Sequence, residues 1–114
     1  MNNLDKITNV KSYISTATVP QALAGINAII NSYKEYKIAE AMESTKRAAI
    51  REEARIQICA LQEATKREKY TIDGKVTVSL AIIEAINQLL LMKDVLDEGT
   101  MKVCMNYISF IKEW

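Results

Sequence analysis

Apolar residues recur along most of this chain at intervals of three and four, which is the spacing of one face of an α-helix. The longest such segment runs from Tyr36 to Lys69 and contains neither glycine nor proline. It is rich in Ala, Glu, Lys, Arg and Gln, which are favourable helix formers. The pattern therefore predicts one long central helix, roughly 50 Å in length at about 1.5 Å per residue.

A helix of that length is longer than the rest of the fold is wide. A compact chain of 114 residues should have a radius of gyration of about 13 Å, and hence a diameter of about 35 Å. We therefore expect part of the long helix to extend beyond the fold. Either a second copy or another partner packs along that part, or the helix bends.

Two shorter helices are predicted before the long one. Apolar residues from Leu4 onward indicate a first amphipathic helix of about four turns. Pro20 suits the first turn of the second helix, with Thr18 or Val19 as its cap. Gly25 lies inside this second helix, where it costs about 1 kcal/mol relative to alanine. Close approach of another helix would account for it, but the sequence does not require such an approach.

The boundary between the second helix and the long one is open. Weak helix formers occur there at positions 31 and 32, so a turn at Ser32–Glu35 and an unbroken helix from Pro20 to Lys69 are both compatible with the sequence. We favour the turn, because an unbroken helix of roughly 75 Å would leave too little chain to cover it.

The segment after Lys69 contains Asp73-Gly74 between β-branched residues, which is the strongest β-hairpin signal in the chain. An isolated two-stranded hairpin is marginally stable in water. We therefore favour a turn in which Gly74 closes one helix and Asp73 caps the next.

The next segment, 76–96, is apolar almost all round. Glu84, Asn87 and Gln88 interrupt it and disfavour a membrane span, so we predict a helix covered on most sides by others. Asp97 or Thr100 should cap a last helix, Met101 to about Lys112, which forms an antiparallel hairpin with its predecessor. The chain is thus predicted to be a single all-α domain, residues 1–114, of four to five helices.

Composition excludes several classes of function. Lys and Arg total 15 against 14 for Asp and Glu, so there is no overall field to attract nucleic acid or an anionic membrane. The chain has no histidine, which is the commonest general base and metal ligand, and only two cysteines. We expect no catalytic site, cofactor or metal. The cysteine content and the absence of a signal-peptide pattern favour reduced thiols and a cytoplasmic location.

Two apolar faces are candidate contact surfaces, one on the long helix and one at the aromatic C-terminus. Similar residues also suit an internal core, which requires no partner. The residues predicted to contact a partner or a second copy are Ile50, Ala54, Ile58, Leu61, Tyr107, Phe110 and Trp114.

A column of basic residues on the long helix is a candidate contact for an anion or for nucleic acid. Glu43 and Glu52 have the spacing to pair with members of the column, so we favour a solvated face. The column comprises Lys46, Arg47, Arg51 and Arg55.

From these patterns we expect a non-enzymatic protein that acts by binding another protein, as an adaptor, inhibitor, immunity factor or assembly subunit. The partner is expected to be a second copy, in a homodimer, or another helical protein. The alternative is a nucleic-acid-associated accessory protein that uses the face of Arg47, Arg51 and Arg55.

Overall fold

The structure, a computed structural model, describes residues 3–38, 43–68 and 75–113, with side chains for 10–36, 43–68 and 79–113. Within these ranges there are five helices and no β-strand, which confirms the all-α class. The prediction for Asp73-Gly74 lies outside the described residues. The helices are α1 (Asn3–Thr16), α2 (Val19–Ile38), α3 (Ser44–Glu68), α4 (Lys75–Leu90) and α5 (Glu98–Lys112).

The start of α2 is a capping box. The side chain of Thr18 accepts a hydrogen bond from the backbone N–H of Gln21 at 3.3 Å, and the side chain of Gln21 accepts one from the backbone N–H of Thr18 at 2.9 Å. The two bonds satisfy donors that a helix leaves unpaired at its N-terminus. Thr18 is therefore the cap, one of the two residues predicted from the sequence.

Neither predicted arrangement of the second helix and the long helix is correct. Helix α2 continues through Ser32–Glu35 to Ile38, and α3 begins at Ser44 after a non-helical Glu43. The long helix therefore begins eight residues later than Tyr36. The reason is tertiary packing, because the buried Ile29, Ile30 and Tyr33 hold the weak helix formers at 31 and 32 in a helical conformation.

This boundary also removes the predicted overhang. Helix α3 has 25 residues, so it is about 37 Å long, whereas the molecule measures 44 × 33 × 21 Å along its principal axes. The long helix fits within the fold. The predicted overhang is wrong, and contact with another chain stays a prediction that the helix length no longer supports.

Helix α3 is the centre of the packing. It contacts α1, α2 and α5, while α4 packs on α2 and α5. Burial of each large aliphatic side chain stabilises the fold by about 1.5–3 kcal/mol relative to its exposure. The largest fully buried aliphatic side chains include Ile26, Ile58, Leu61, Ile82, Ile86 and Leu89.

The segment between α4 and α5 is itself part of the core. Helix α4 ends at Leu90 rather than near position 96, and Met92, Val95 and Leu96 in the following turns are buried. Asp97 caps α5, since its side chain accepts a hydrogen bond from the backbone N–H of Thr100 at 2.6 Å. Helices α4 and α5 pack on each other, as the predicted hairpin requires.

Candidate interaction surface

The predicted contact face of the long helix lies inside the molecule. Ile50, Ala54, Ile58 and Leu61 have at most 7% of their surface exposed and belong to the core of the single chain. They present no surface to a second chain in this fold. As a correction to the sequence-based interpretation, this apolar face joins α3 to the other helices of the same chain.

The aromatic C-terminus is also largely internal. Tyr107 is buried, and its hydroxyl lies within hydrogen-bonding distance of the Thr65 hydroxyl and donates to the carbonyl of Leu61 at 3.2 Å. Burial raises the pKa of Tyr107 to about 12. Phe110 is half-buried and stacks on the Tyr107 ring at a centroid distance of 6.3 Å. The side chain of Trp114 lies outside the described residues.

The basic column is divided between internal contacts and solvent. The Arg51 side chain donates to the carbonyl of Val95 at 3.2 Å, and Arg55 pairs with Asp97 at 2.8 Å and with Glu52 at 3.4 Å. The contacts with Val95 and Asp97 join α3 to the segment before α5. Arg47 is exposed.

The fourth member of the basic column, Lys46, is exposed with its ammonium 4.8 Å from the centre of the Tyr36 ring. This is a cation–π distance. Arg51 and Arg55 contact groups of the same chain. The column therefore does not form four free cations on one face.

A cleft of about 470 Å³ lies between α3 and α5. Its lining includes Cys59, Val103 and Gln62, with the Arg55–Asp97 pair at one side. Cys59 is a half-buried free thiol. Arg55 at the side of the cleft is a cation engaged with the carboxylates of Asp97 and Glu52. In the parts of the chain that the structure describes, no three Cys, Asp or Glu residues are placed to share a metal ion.

The outer face of α4 has a different character. Leu80 and Leu91 are 66% and 76% exposed. Together with the half-buried Ile83 and Leu90 they line one shallow depression along the helix. Exposed leucines are common singly, but here two exposed leucines and two half-buried apolar residues lie along one helix, with Glu84 and Asn87 between the leucines, as on surfaces that contact other chains.

The sequence of α4 explains why this face is left outside. Its inner face carries Ile82, Ala85, Ile86 and Leu89, which are buried and follow the three-and-four spacing of a helix. Apolar residues on the opposite side then have no place in the core. The outer stripe, which we define as Leu80, Glu84, Asn87 and Leu91, follows intervals of four, three and four and is exposed at every position.

Leu91 follows the last residue of α4 and stays on this stripe. Its backbone N–H donates to the carbonyl of Gln88 at 3.2 Å, so the chain continues to turn as a helix does. Sequence reasoning missed Leu80 and Leu91, because it took the all-round apolar pattern of 76–96 as a sign of a helix covered on most sides and did not identify the side left open. The usable signal was the pair of leucines at positions 80 and 91, which lie at helical spacing on the side opposite the inner face.

Comparison with known family models, curated proteins and solved structures gives no match to this chain. Within the described ranges, no helix is both long enough and apolar enough to cross a membrane. A functional proposal for the chain therefore depends on its own geometry.

Proposed function

We propose that this chain is a non-enzymatic interaction protein that binds another protein through the outer face of α4. The observation that carries the proposal is the exposure of Leu80 and Leu91 beside Ile83 and Leu90. Covering a leucine that is otherwise in water contributes about 1.5–3 kcal/mol. A partner that covers this face would gain that free energy.

The shape of the surface favours a helical partner. The outer stripe has the four-three-four spacing of a coiled-coil seam, and its depression runs along the helix. A helix laid along α4 could place apolar residues against both leucines at once. This supports an adaptor, inhibitor, immunity or assembly role rather than recognition of a small molecule.

Contact with nucleic acid through Lys46, Arg47, Arg51 and Arg55 is the weaker proposal. Recognition of a phosphate backbone requires several cations that are free to displace counterions. Arg51 and Arg55 instead contact the chain itself.

A cytoplasmic location stays a prediction of the sequence, to be tested by fractionation.

Photo-crosslinking in cells that carry the native gene tests the protein-binding proposal. A photoreactive amino acid replaces Leu91, and the matched control replaces Asn27, an exposed residue on α2. We expect a specific protein adduct from position 91 and none from position 27, because only the former lies on the α4 face. Absence of an adduct from position 91, or equal adducts from both positions, would contradict the proposal.

A further inference from the structure

The outer stripe of α4 has the same order of leucine and polar positions in both directions along the helix. From Leu80 to Leu91 it runs leucine, polar, polar, leucine, and the two polar positions are Glu84 and Asn87. The spacing of four, three and four is symmetric about the midpoint between them. A copy turned through 180° sets position 80 opposite position 91 and position 84 opposite position 87, which is the isologous arrangement of a two-fold interface.

We propose that the partner of this face is a second copy of the same chain, with the two α4 helices packed antiparallel about a two-fold axis between Glu84 and Asn87. This inference rests on the proposed function. In that register Leu80 of each copy lies opposite Leu91 of the other. The two leucine pairs close the ends of the contact.

The polar centre of the stripe is matched in the same register. Glu84 of each copy lies opposite Asn87 of the other, so the Asn87 amide can donate to the Glu84 carboxylate twice. Both side chains are exposed, and their polar groups are accessible to another chain. Polar residues inside an otherwise apolar seam fix the register of paired helices.

Charge decides the relative direction of the two helices. A parallel pair in register would set Glu84 directly opposite Glu84 of the second copy, which is a repulsive arrangement. In the antiparallel pair the two Glu84 carboxylates are not opposite each other, and each one faces the Asn87 amide of the other copy. Because Glu84 is the charged member of the outer stripe, the antiparallel dimer contains no like-charge pair across that stripe.

The contact covers about three helical turns on each chain, so it belongs among small interfaces that associate reversibly. The purified protein should therefore shift from monomer to dimer within the micromolar to millimolar range. Ile83 and Leu90 lie beside the stripe and extend the apolar area at its edge.

Sedimentation equilibrium of the purified full chain tests the dimer and its register. Asn87→Glu sets two carboxylates opposite each other at both ends of the polar centre, and we expect about a tenfold or greater loss of association. Glu84→Lys combined with Asn87→Glu creates two Lys–Glu pairs across the axis and should restore association. The matched control is Val103→Glu, which adds the same charge at an exposed aliphatic residue in the cleft between α3 and α5 and should leave association unchanged.

Circular dichroism of each variant verifies that the fold is intact, since all three positions are exposed. A wild-type protein that remains monomeric to millimolar concentration would overturn the dimer, as would failure of the double variant to restore association. If that monomer still gives an adduct with a different protein from position 91 in cells, the dimer fails and the proposed function stands. If the protein is monomeric and position 91 gives no adduct, both the dimer and the proposed function fail.

Discussion

Gly25 and Gln57 form a close contact between α2 and α3. A Cβ atom at position 25 would overlap the side-chain amide of Gln57. That amide is buried and is held on both sides, since its oxygen accepts from the Tyr13 hydroxyl at 2.9 Å and its nitrogen donates to the Glu53 carboxylate at 3.1 Å. A close approach that accounts for a glycine within this helix is therefore present.

Gly25→Ala should destabilise the fold even though alanine is the better helix former. The gain in helix propensity is about 1 kcal/mol, whereas displacing Gln57 disrupts two hydrogen bonds of about 1 kcal/mol each and adds overpacking of about 1–3 kcal/mol. We expect a net loss of about 2–4 kcal/mol in the free energy of unfolding, measured by urea denaturation.

The control for Gly25→Ala is the same change in a Gln57→Ala background. There the overlap is gone, so the substitution should become stabilising by up to about 1 kcal/mol. An equal effect of Gly25→Ala in both backgrounds would show that Gln57 is not the cause.

The buried hydroxyl of Tyr107 predicts a loss of stability at high pH. Its pKa is raised from 10.0 to about 12 by burial, and burial likewise raises the pKa of Cys104 from 9.0 to about 11. The unfolded chain loses these protons first, so the free energy of unfolding falls as pH rises from about 9 to 12. Each group contributes a slope of up to about 1.4 kcal/mol per pH unit.

Tyr107→Phe separates the contribution of Tyr107 to the alkaline loss of stability from that of Cys104. The variant should be less stable at neutral pH, because it lacks the hydrogen bonds to Thr65 and Leu61, but its stability should decline less steeply between pH 10 and 12. Thermal unfolding as a function of pH measures both effects. An unchanged alkaline slope in Tyr107→Phe would assign the loss to other groups.

At the scale of the helices, Arg67 on α3 forms hydrogen bonds to the C-terminal end of α1. Its guanidinium donates to the carbonyl of Ser15 at 2.5 Å and to the carbonyl of Ala17. These carbonyls lie at the C-terminus of α1, where a cation is favourable to the helix dipole.

Arg67→Ala should loosen α1 selectively. We expect a loss of about 1 kcal/mol, seen as amide hydrogen exchange about fivefold faster in α1 with little change in α4. The matched control is Lys66→Ala, which removes only an exposed pair with Glu63 at 3.5 Å. Equal acceleration of α1 in both variants would contradict a specific role for Arg67.

Helix periodicity and capping residues predicted which segments are helical better than they predicted where each helix ends. The Thr18 cap and the Asp97 cap follow from local chemistry that is visible in the sequence. The continuation of α2 to Ile38 depends on burial of Tyr33, whose hydroxyl donates to Asp94 at 2.5 Å, 61 positions away in the chain. Such a contact between distant positions leaves no mark on local periodicity.

The candidate surface was harder to predict because apolar residues at helical spacing look the same in a sequence whether their face is covered or not. The seam of Ile50, Ala54, Ile58 and Leu61 and the outer stripe of α4 both have helical spacing. Only the packing of α1, α2 and α5 around α3 decides that the first is core. The packing of α4 on α2 and α5 through its inner face leaves Leu80 and Leu91 outside.

At the scale of the whole molecule, the fold needs no partner to cover its long helix. Helix α3 lies within a body 44 Å in its longest dimension, and its apolar face is closed by the same chain. A second chain is instead proposed for the outer face of α4. The homodimer predicted from sequence is thus retained as a proposal with a different surface.

A dilution series of backbone amide NMR spectra tests the central claim most directly, because it reports both whether the chain associates and where. We predict concentration-dependent shifts confined to residues 80–91, with the amides of Ile58 and Leu61 in α3 unchanged. Spectra that stay constant from micromolar to millimolar protein, or shifts that map to α3 instead of α4, would contradict the proposed α4 dimer.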